Sequence, residues 1–213
     1  MMLFSNKFLL KQKFYWSLNF NYIPQSKNHK TKRVSDELEL VERLQLNTNK
    51  DLAFKELVTL YKERLYWHIR NIVKSHDDAD DVLQNTFIKI YKNIHNFKGE
   101  SKLYSWMYRI ATNESITFIN KRAKRLQITN EEVQNLAINN LASDVYFEGD
   151  AIQLKLQQAI ATLPEKQQLV FNMKYFEDIK YKDMADILET SEGALKASYH
   201  IATKKIEDYL TKH

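Results

Sequence analysis

The chain has 213 residues, is 44% hydrophobic, and contains no Cys, only 3 Gly and 2 Pro. Absence of Cys excludes a disulfide framework and a thiolate zinc site, and the scarcity of breakers predicts an all-α protein. The net charge of +5 is unevenly placed: residues 1–35 hold seven Lys/Arg and no acid, 98–125 hold seven bases against two acids, and 126–150 hold five acids and no base, so 98–125 is the surface favoured for nucleic acid.

In chain order, residues 1–34 form a basic, aromatic extension with Pro24 and no sustained period, expected to be a disordered arm or the product of a wrong start. The opening MMLFSNKFLLKQKFYWSLNF is interrupted by Lys7, Lys11 and Lys13 and lacks a small-residue cleavage site, so no signal peptide is expected. No apolar run approaches the ~20 residues that cross a bilayer, and a cytoplasmic location without membrane insertion is expected. From Ser35, read as a helix cap, Leu38, Val41 and Leu44 make an apolar stripe. Spacing predicts further helices over 51–74 (Leu52, Phe54, Leu57, Leu65, Ile69, Ile72), 78–95 (Leu83, Phe87, Ile90, Ile94) and 102–124 (Leu103, Trp106, Met107, Ile110, Ala111, Phe118). These helices group as one unit over 35–125. The Asn-rich, acidic stretch 126–150 is expected to be a linker.

Periodicity returns with Ile152, Leu156 and Ile160. Leu163-Pro164 ends that helix, and a proline is tolerated where the next begins. Glu165 to Phe176 and about 180–188 are helical by spacing. Glu189-Thr190-Ser191 makes a corner, and Ser191 is placed to cap a last helix with Leu195, Tyr199, Ala202, Ile206 and Leu210 on one face. Residues 151–213 therefore form a second helical unit ending in a helix-turn-helix.

The chemistry of catalysis is absent from this pattern. The six His are scattered, with no expected pairing to acids at ligand spacing, and no H-E-x-x-H, phosphate-binding Gly loop or G-x-S-x-G occurs. No enzyme, metal, cofactor or small-molecule substrate is expected. The stretch HDDADDVLQNT at 76–86 concentrates four aspartates, but Val82 and Leu83 stand where a calcium loop needs oxygens. Asp77 or Asp78 as helix cap fits better, which leaves Asp81, Gln84 and Asn85 as a polar strip opposite Leu83 and Phe87. Aromatic and basic residues interleave over 97–125, a pattern suited to unstacked bases and phosphates. In the last helix Glu192, Gly193, Lys196, Ala197 and His200 lie away from the apolar face, where a recognition helix reads the major groove. Lys204 is placed for phosphate.

The stretch DDADDVLQNTFIKIYKNIHNFKGESKLYSWMYRIATNESITFINKR resembles domain 2 of bacterial extracytoplasmic-function sigma factors of the sigma-70 family. LQQAIATLPEKQQLVFNMKYFEDIKYKDMADILETSEGALKASYHIATKKIEDYL resembles their domain 4. The resemblance implies a promoter-specificity subunit that binds core RNA polymerase, directs it to promoter DNA, and is often held by an anti-sigma partner. Carried over residue by residue, Asp81, Gln84 and Asn85 match the strip that docks on the β′ clamp, although a Glu is frequent where Asn85 stands. Lys98, Gly99, Ser101, Lys102, Tyr104, Ser105 and Arg109 match the part that captures an unstacked −10 base. Glu192, Gly193, Lys196, Ala197, His200 and Lys204 match the −35 reader. Many relatives carry Arg where Ser198 and Ile201 stand, and no Arg follows Arg125 here, so lysines must serve the phosphates. The rival readings are a stand-alone helix-turn-helix regulator and a helical adaptor.

Overall fold

Apolar spacing at the helical period governs the architecture: in the computed structural model, which describes residues 30–46, 49–139 and 151–212, no strand occurs among the described residues. The expected all-α class holds. Residues 1–29 of the extension and 140–150 of the expected linker lie outside the described residues. The chain divides into two units, 1–40 and 41–213. Helix α1 spans Lys30–Gln45, so Ser35 sits inside a helix that begins earlier and is not its cap. Leu38 is exposed.

In the second unit, α2 (Lys50–Val73), α3 (His76–Asn93) and α4 (Leu103–Leu126) pack around Leu57, Leu65, Ile69, Leu83, Ile90 and Met107, all buried. Leu52, expected inward, is exposed. Phe54 of α2 meets Phe87 and Tyr91 of α3 edge-on at centroid distances of 6.2 and 4.9 Å, a favourable arrangement for aromatic quadrupoles. Trp106, expected in the core, is only half-buried and lies 5.5 Å from the Phe97 ring.

The stretch after α4 differs from the expected linker. Helix α5 (Asn130–Asn139) occupies part of it, with Val133, Gln134, Ala137 and Ile138 buried. Its start is a capping box. The Glu132 carboxylate accepts from the Thr129 N–H at 2.7 Å, and the Glu132 N–H donates to Thr129 Oγ1 at 3.1 Å, satisfying donors that a helix start otherwise leaves unpaired. The Thr129 N–H and hydroxyl, both donating to the Glu132 carboxylate, hold it below its ordinary range. Val133 joins Ile72, Ile119, Ala123 and Leu169 in one apolar cluster.

Helices α6 (Ala151–Ala161), α7 (Glu165–Tyr175), α8 (Tyr181–Leu188) and α9 (Glu192–Lys212) complete the unit. Pro164 precedes α7, and its carbonyl accepts from the N–H groups of Gln167 and Gln168 at 2.8 and 3.0 Å. Phe171 of α7 stacks on Tyr199 of α9 at 5.8 Å, with planes 18° apart. Glu189 ends α8 in the left-handed conformation at φ 51°. Ser191 Oγ accepts from the Ala194 N–H at 3.3 Å, capping α9 as expected.

Candidate nucleic-acid interface

Three surfaces expected to be functional are built by three different pieces of the second unit. The first lies on α3. Its cap is Ser75, whose hydroxyl accepts from the Asp78 N–H at 3.4 Å, so neither Asp77 nor Asp78 is the cap. Both aspartates instead stand in the first turn, facing the positive end of the helix. Asp78 also forms an ion pair with Arg122, tying α3 to the last turns of α4. His76 and Asp80, four residues apart, approach to 3.7 Å. The expectation that no His meets an acid at helical spacing was therefore incorrect, although no cluster of three or more metal-ligating side chains occurs among the described residues.

Beyond this first turn Asp81, Gln84 and Asn85 are exposed, while Val82, Leu83, Thr86 and Ile90 are buried. Ile88 is also exposed, at 45%, and lies on the face of Asp81, Gln84 and Asn85 at helical spacing. Sequence reading left Ile88 out of both the apolar stripe and the polar strip, because only polar residues were sought on the outer face. Its offset from the Leu83–Ile90 stripe was the available signal.

The second surface is the loop before α4 and the helix start. Gln45 pins the loop by donating to the Ile94 and Phe97 carbonyls at 3.3 and 2.7 Å. Gly99 has φ 74° and open space around a notional Cβ, so backbone conformation, not crowding, requires glycine there. Lys98, Gly99 and Lys102 are exposed and Ser101 is half-buried. An open polar cavity of ≈ 460 Å³ is lined by Phe97, Lys98, Ser101, Trp106, Arg109 and Asp186. Ser105 departs from expectation. It is fully buried, on the α4 face that also holds Tyr108, Thr112 and Ser115, and so offers nothing to a base in this conformation.

The remaining members of this group are engaged by α8. Lys102 Nζ donates to Asp183 Oδ1 at 2.6 Å. Arg109 donates through Nη1 to Glu189 Oε1 at 2.8 Å and through Nη2 to the Asp186 carbonyl. Burial and the hydrogen bond to Asp183 push the Tyr104 hydroxyl well above its ordinary range. At Asp183 burial acts to raise the carboxyl, but hydrogen bonds from Lys102 and Tyr104 outweigh it and hold the group low. Other polar contacts join the same two parts of the unit. His68 Nδ1 lies 3.0 Å from Glu177 Oε1 while its Nε2 meets Thr112 Oγ1 at 2.9 Å, Asn172 donates to the Asn71 carbonyl at 3.0 Å, and Lys74 donates to Gln157 at 2.8 Å. No sequence signal marks these pairs, because each partner is more than 40 residues away.

The third surface is the outer face of α9. Glu192, Gly193, Lys196, Ala197, His200 and Lys204 are all exposed, and Leu195, Ala202 and Ile206 are buried behind them. Lys196 Nζ lies 3.6 Å from Glu192 and 5.7 Å from the Tyr181 ring centroid. With α8 and the corner at 189–191, this is a helix-turn-helix with its second helix open to solvent.

Residues 57–125 match the family described as Sigma-70 region 2, and residues 153–206 match Sigma-70, region 4. The chain is 30% identical over 177 residues to the ECF RNA polymerase sigma-E factor of Haemophilus influenzae, covering 79% of this chain and 92% of that protein. It is 30% identical over 156 residues to the ECF RNA polymerase sigma factor SigW of Bacillus subtilis, covering 70% and 83%. Among solved structures, CnrH in complex with the cytosolic domain of CnrY superposes with a TM-score of 0.60 at 19% identity, over 83% of this chain and 97% of that one. The sigma factor RpoE in complex with the anti-sigma factor NepR from Bartonella quintana superposes with a TM-score of 0.57 at 19% identity, over 74% and 96%. At this identity the structural likeness speaks for the fold alone.

Proposed function

The chain belongs to the extracytoplasmic-function sigma factors of the sigma-70 family, and from that premise we propose how its surfaces divide the work. Residues 35–125 act as the polymerase-binding and −10 domain, 151–213 as the −35 domain, and 126–150, including α5, as their connection. The outer strip of α3, Asp81, Gln84, Asn85 and Ile88, docks on the clamp of core RNA polymerase. Lys98, Gly99, Ser101, Lys102, Tyr104 and Arg109 take an unstacked −10 base and its flanking phosphates, with Ser105 shaping the helix behind them. Unstacking costs a few kcal/mol, which contacts to the single strand must offset. On α9, Glu192, Gly193, Lys196, Ala197 and His200 read the −35 duplex, and Lys204 holds a phosphate.

The observation that carries this division is the α9 face: a capped helix after a tight corner leaves every expected reader residue exposed. The protein acts by binding, without catalysis of its own, and works in the cytoplasm, where polymerase and promoter are. The described residues contain no helix long and apolar enough to cross a membrane. An anti-sigma factor is a further proposed partner, supported by the NepR complex of a relative with this fold.

Run-off transcription with core polymerase tests the reading: addition of the chain yields discrete promoter-dependent transcripts, and a profile identical to core alone overturns it. Within that assay, Lys196→Ala with His200→Ala lowers transcription at least about tenfold, as loss of two base contacts implies, while polymerase binding persists. Equal activity on promoters with a scrambled −35 element, before and after substitution, removes α9 as the reader. Asp81→Lys with Gln84→Ala reverses charge on the α3 strip and weakens co-purification with core polymerase, again by about tenfold or more. Both positions are exposed, so the helical circular-dichroism signal stays unchanged. Undiminished co-purification removes the strip as the docking site.

A further inference from the structure

We propose that α8 and the corner after it form an intramolecular latch, whose Asp183 and Glu189 carboxylates occupy the −10 reading surface as stand-ins for DNA and keep the unbound protein closed. The proposal rests on the −10 assignment above. Its basis is a coincidence of chemistry: Lys102, Tyr104 and Arg109, at and just after the start of α4, each meet an oxygen from α8 or the corner after it. Lys102 and Tyr104 share the Asp183 carboxylate, and Arg109 takes the Glu189 carboxylate and the Asp186 carbonyl. A carboxylate presents the same anionic acceptor oxygens to Lys and Arg that a phosphate does. Asp186 also lines the cavity bounded by Phe97 and Trp106, where an extruded base would have to enter.

The latch is built to release. Glu189 is 72% exposed, and an ion pair so open to solvent holds weakly and is screened by salt; Lys102 is 56% exposed, but its partner Asp183 is only 6% exposed, so that pair is the tighter half of the latch. A polyanionic strand competes directly for the same cations. The His68–Glu177 and Asn71–Asn172 contacts hold α7 and the segment after it against α2, and Leu188 of α8 packs on the apolar cluster that includes Ile119 and Ala123 of α4; Asp183 and Glu189 then decide whether the reading surface is covered. Docking of α3 on polymerase and of α9 on the −35 duplex, at separate points, would favour the open form.

The test uses the full chain with Asp183→Asn and Glu189→Gln, which keep side-chain size and remove charge. Affinity of the unbound protein for a fluorescent single-stranded −10 oligonucleotide is expected to rise about tenfold, the change that follows if closure leaves about a tenth of the wild type competent. Because the chain contains no Cys, Lys92→Cys and Asp208→Cys give two unique spin-label sites, one on α3 and one on α9. The distance distribution is expected to be narrow in the otherwise wild-type chain and broad in the charge-removed variant. Unchanged oligonucleotide affinity with an unchanged narrow distribution overturns the latch, as does a distribution already broad without the substitutions. Run-off transcription by the variant keeps the two ideas separable. Transcripts without a gain in oligonucleotide affinity leave the sigma reading standing and sink the latch, while a narrow-to-broad transition in a chain that directs no transcription sinks the sigma reading and leaves the closure in place.

Discussion

Replacing Leu169 by Ala is expected to destabilise residues 41–213 by about 3 kcal/mol, within the range for a buried Leu truncated to leave a cavity. Leu169 is 6% exposed and belongs to α7, yet its apolar neighbours are Ile72 of α2, Ile119 and Ala123 of α4 and Val133 of α5. The substitution therefore removes methyl groups from a cluster to which both family-matched segments contribute. Urea unfolding followed by two signals reads this directly. The chain has three Trp, at positions 16, 67 and 106, and α7 carries none of them, so in a Trp16→Phe background fluorescence reports α2 and α4 while circular dichroism reports every helix. Cooperative coupling requires both midpoints to fall together. A drop in the circular-dichroism midpoint with an unmoved fluorescence midpoint would show that the Leu169 side chain stabilises only its own segment.

That coupling marks the boundary of what could be read from residues alone. The helices were legible because apolar residues at 3.6-residue spacing either face a core or have no stable place to go; α2, α3 and α9 follow from Leu57, Ile90 and Ile206 in this way. The α9 face was legible for the converse reason, since exposed polar positions opposite a buried stripe need no tertiary information. Helix α5 was missed because its composition reads as a tether, although Thr129 and Glu132 spell a capping box three residues apart. Ser105 was misplaced because a hydroxyl beside basic residues suggests binding. Tyr108, Thr112 and Ser115 continue its face, and the latter two satisfy themselves by donating to carbonyls four residues back, both at 2.8 Å; the Ser105 hydroxyl makes no such bond. The pairing of the Asp183 and Glu189 carboxylates with Lys102 and Arg109 was invisible in principle. Acids on a short helix read as solvated surface until the fold brings a lysine and an arginine 80 residues away against them.

Lys74→Met is expected to flatten the pH dependence of stability between pH 7 and 9.5 and to raise stability at pH 7 by about 2 kcal/mol, in line with replacement of other buried charged groups by apolar ones of similar volume. Lys74 follows α2 in the left-handed conformation at φ 63°, is 4% exposed, and donates to Gln157 of α6. Burial, assisted by the Arg70 charge, lowers its pKa from 10.5 to about 7. The unfolded chain therefore binds a proton at Lys74 that the folded chain has released throughout the interval from about 7 to 10.5, so stability rises with pH across it and is lowest below pH 7. Measurement stops at pH 9.5 because Tyr104, Tyr108, Tyr175 and Tyr199 are all shifted upward; they hold their protons longer in the folded state, and their contribution falls as pH passes the ordinary tyrosine value of about 10. Met keeps the length of the stem and removes the charge, at the cost of leaving the Gln157 oxygen without its donor, which limits the gain. Urea midpoints for the two proteins that rise in parallel from pH 7 to 9.5 would show that Lys74 is not the group whose proton release drives the slope.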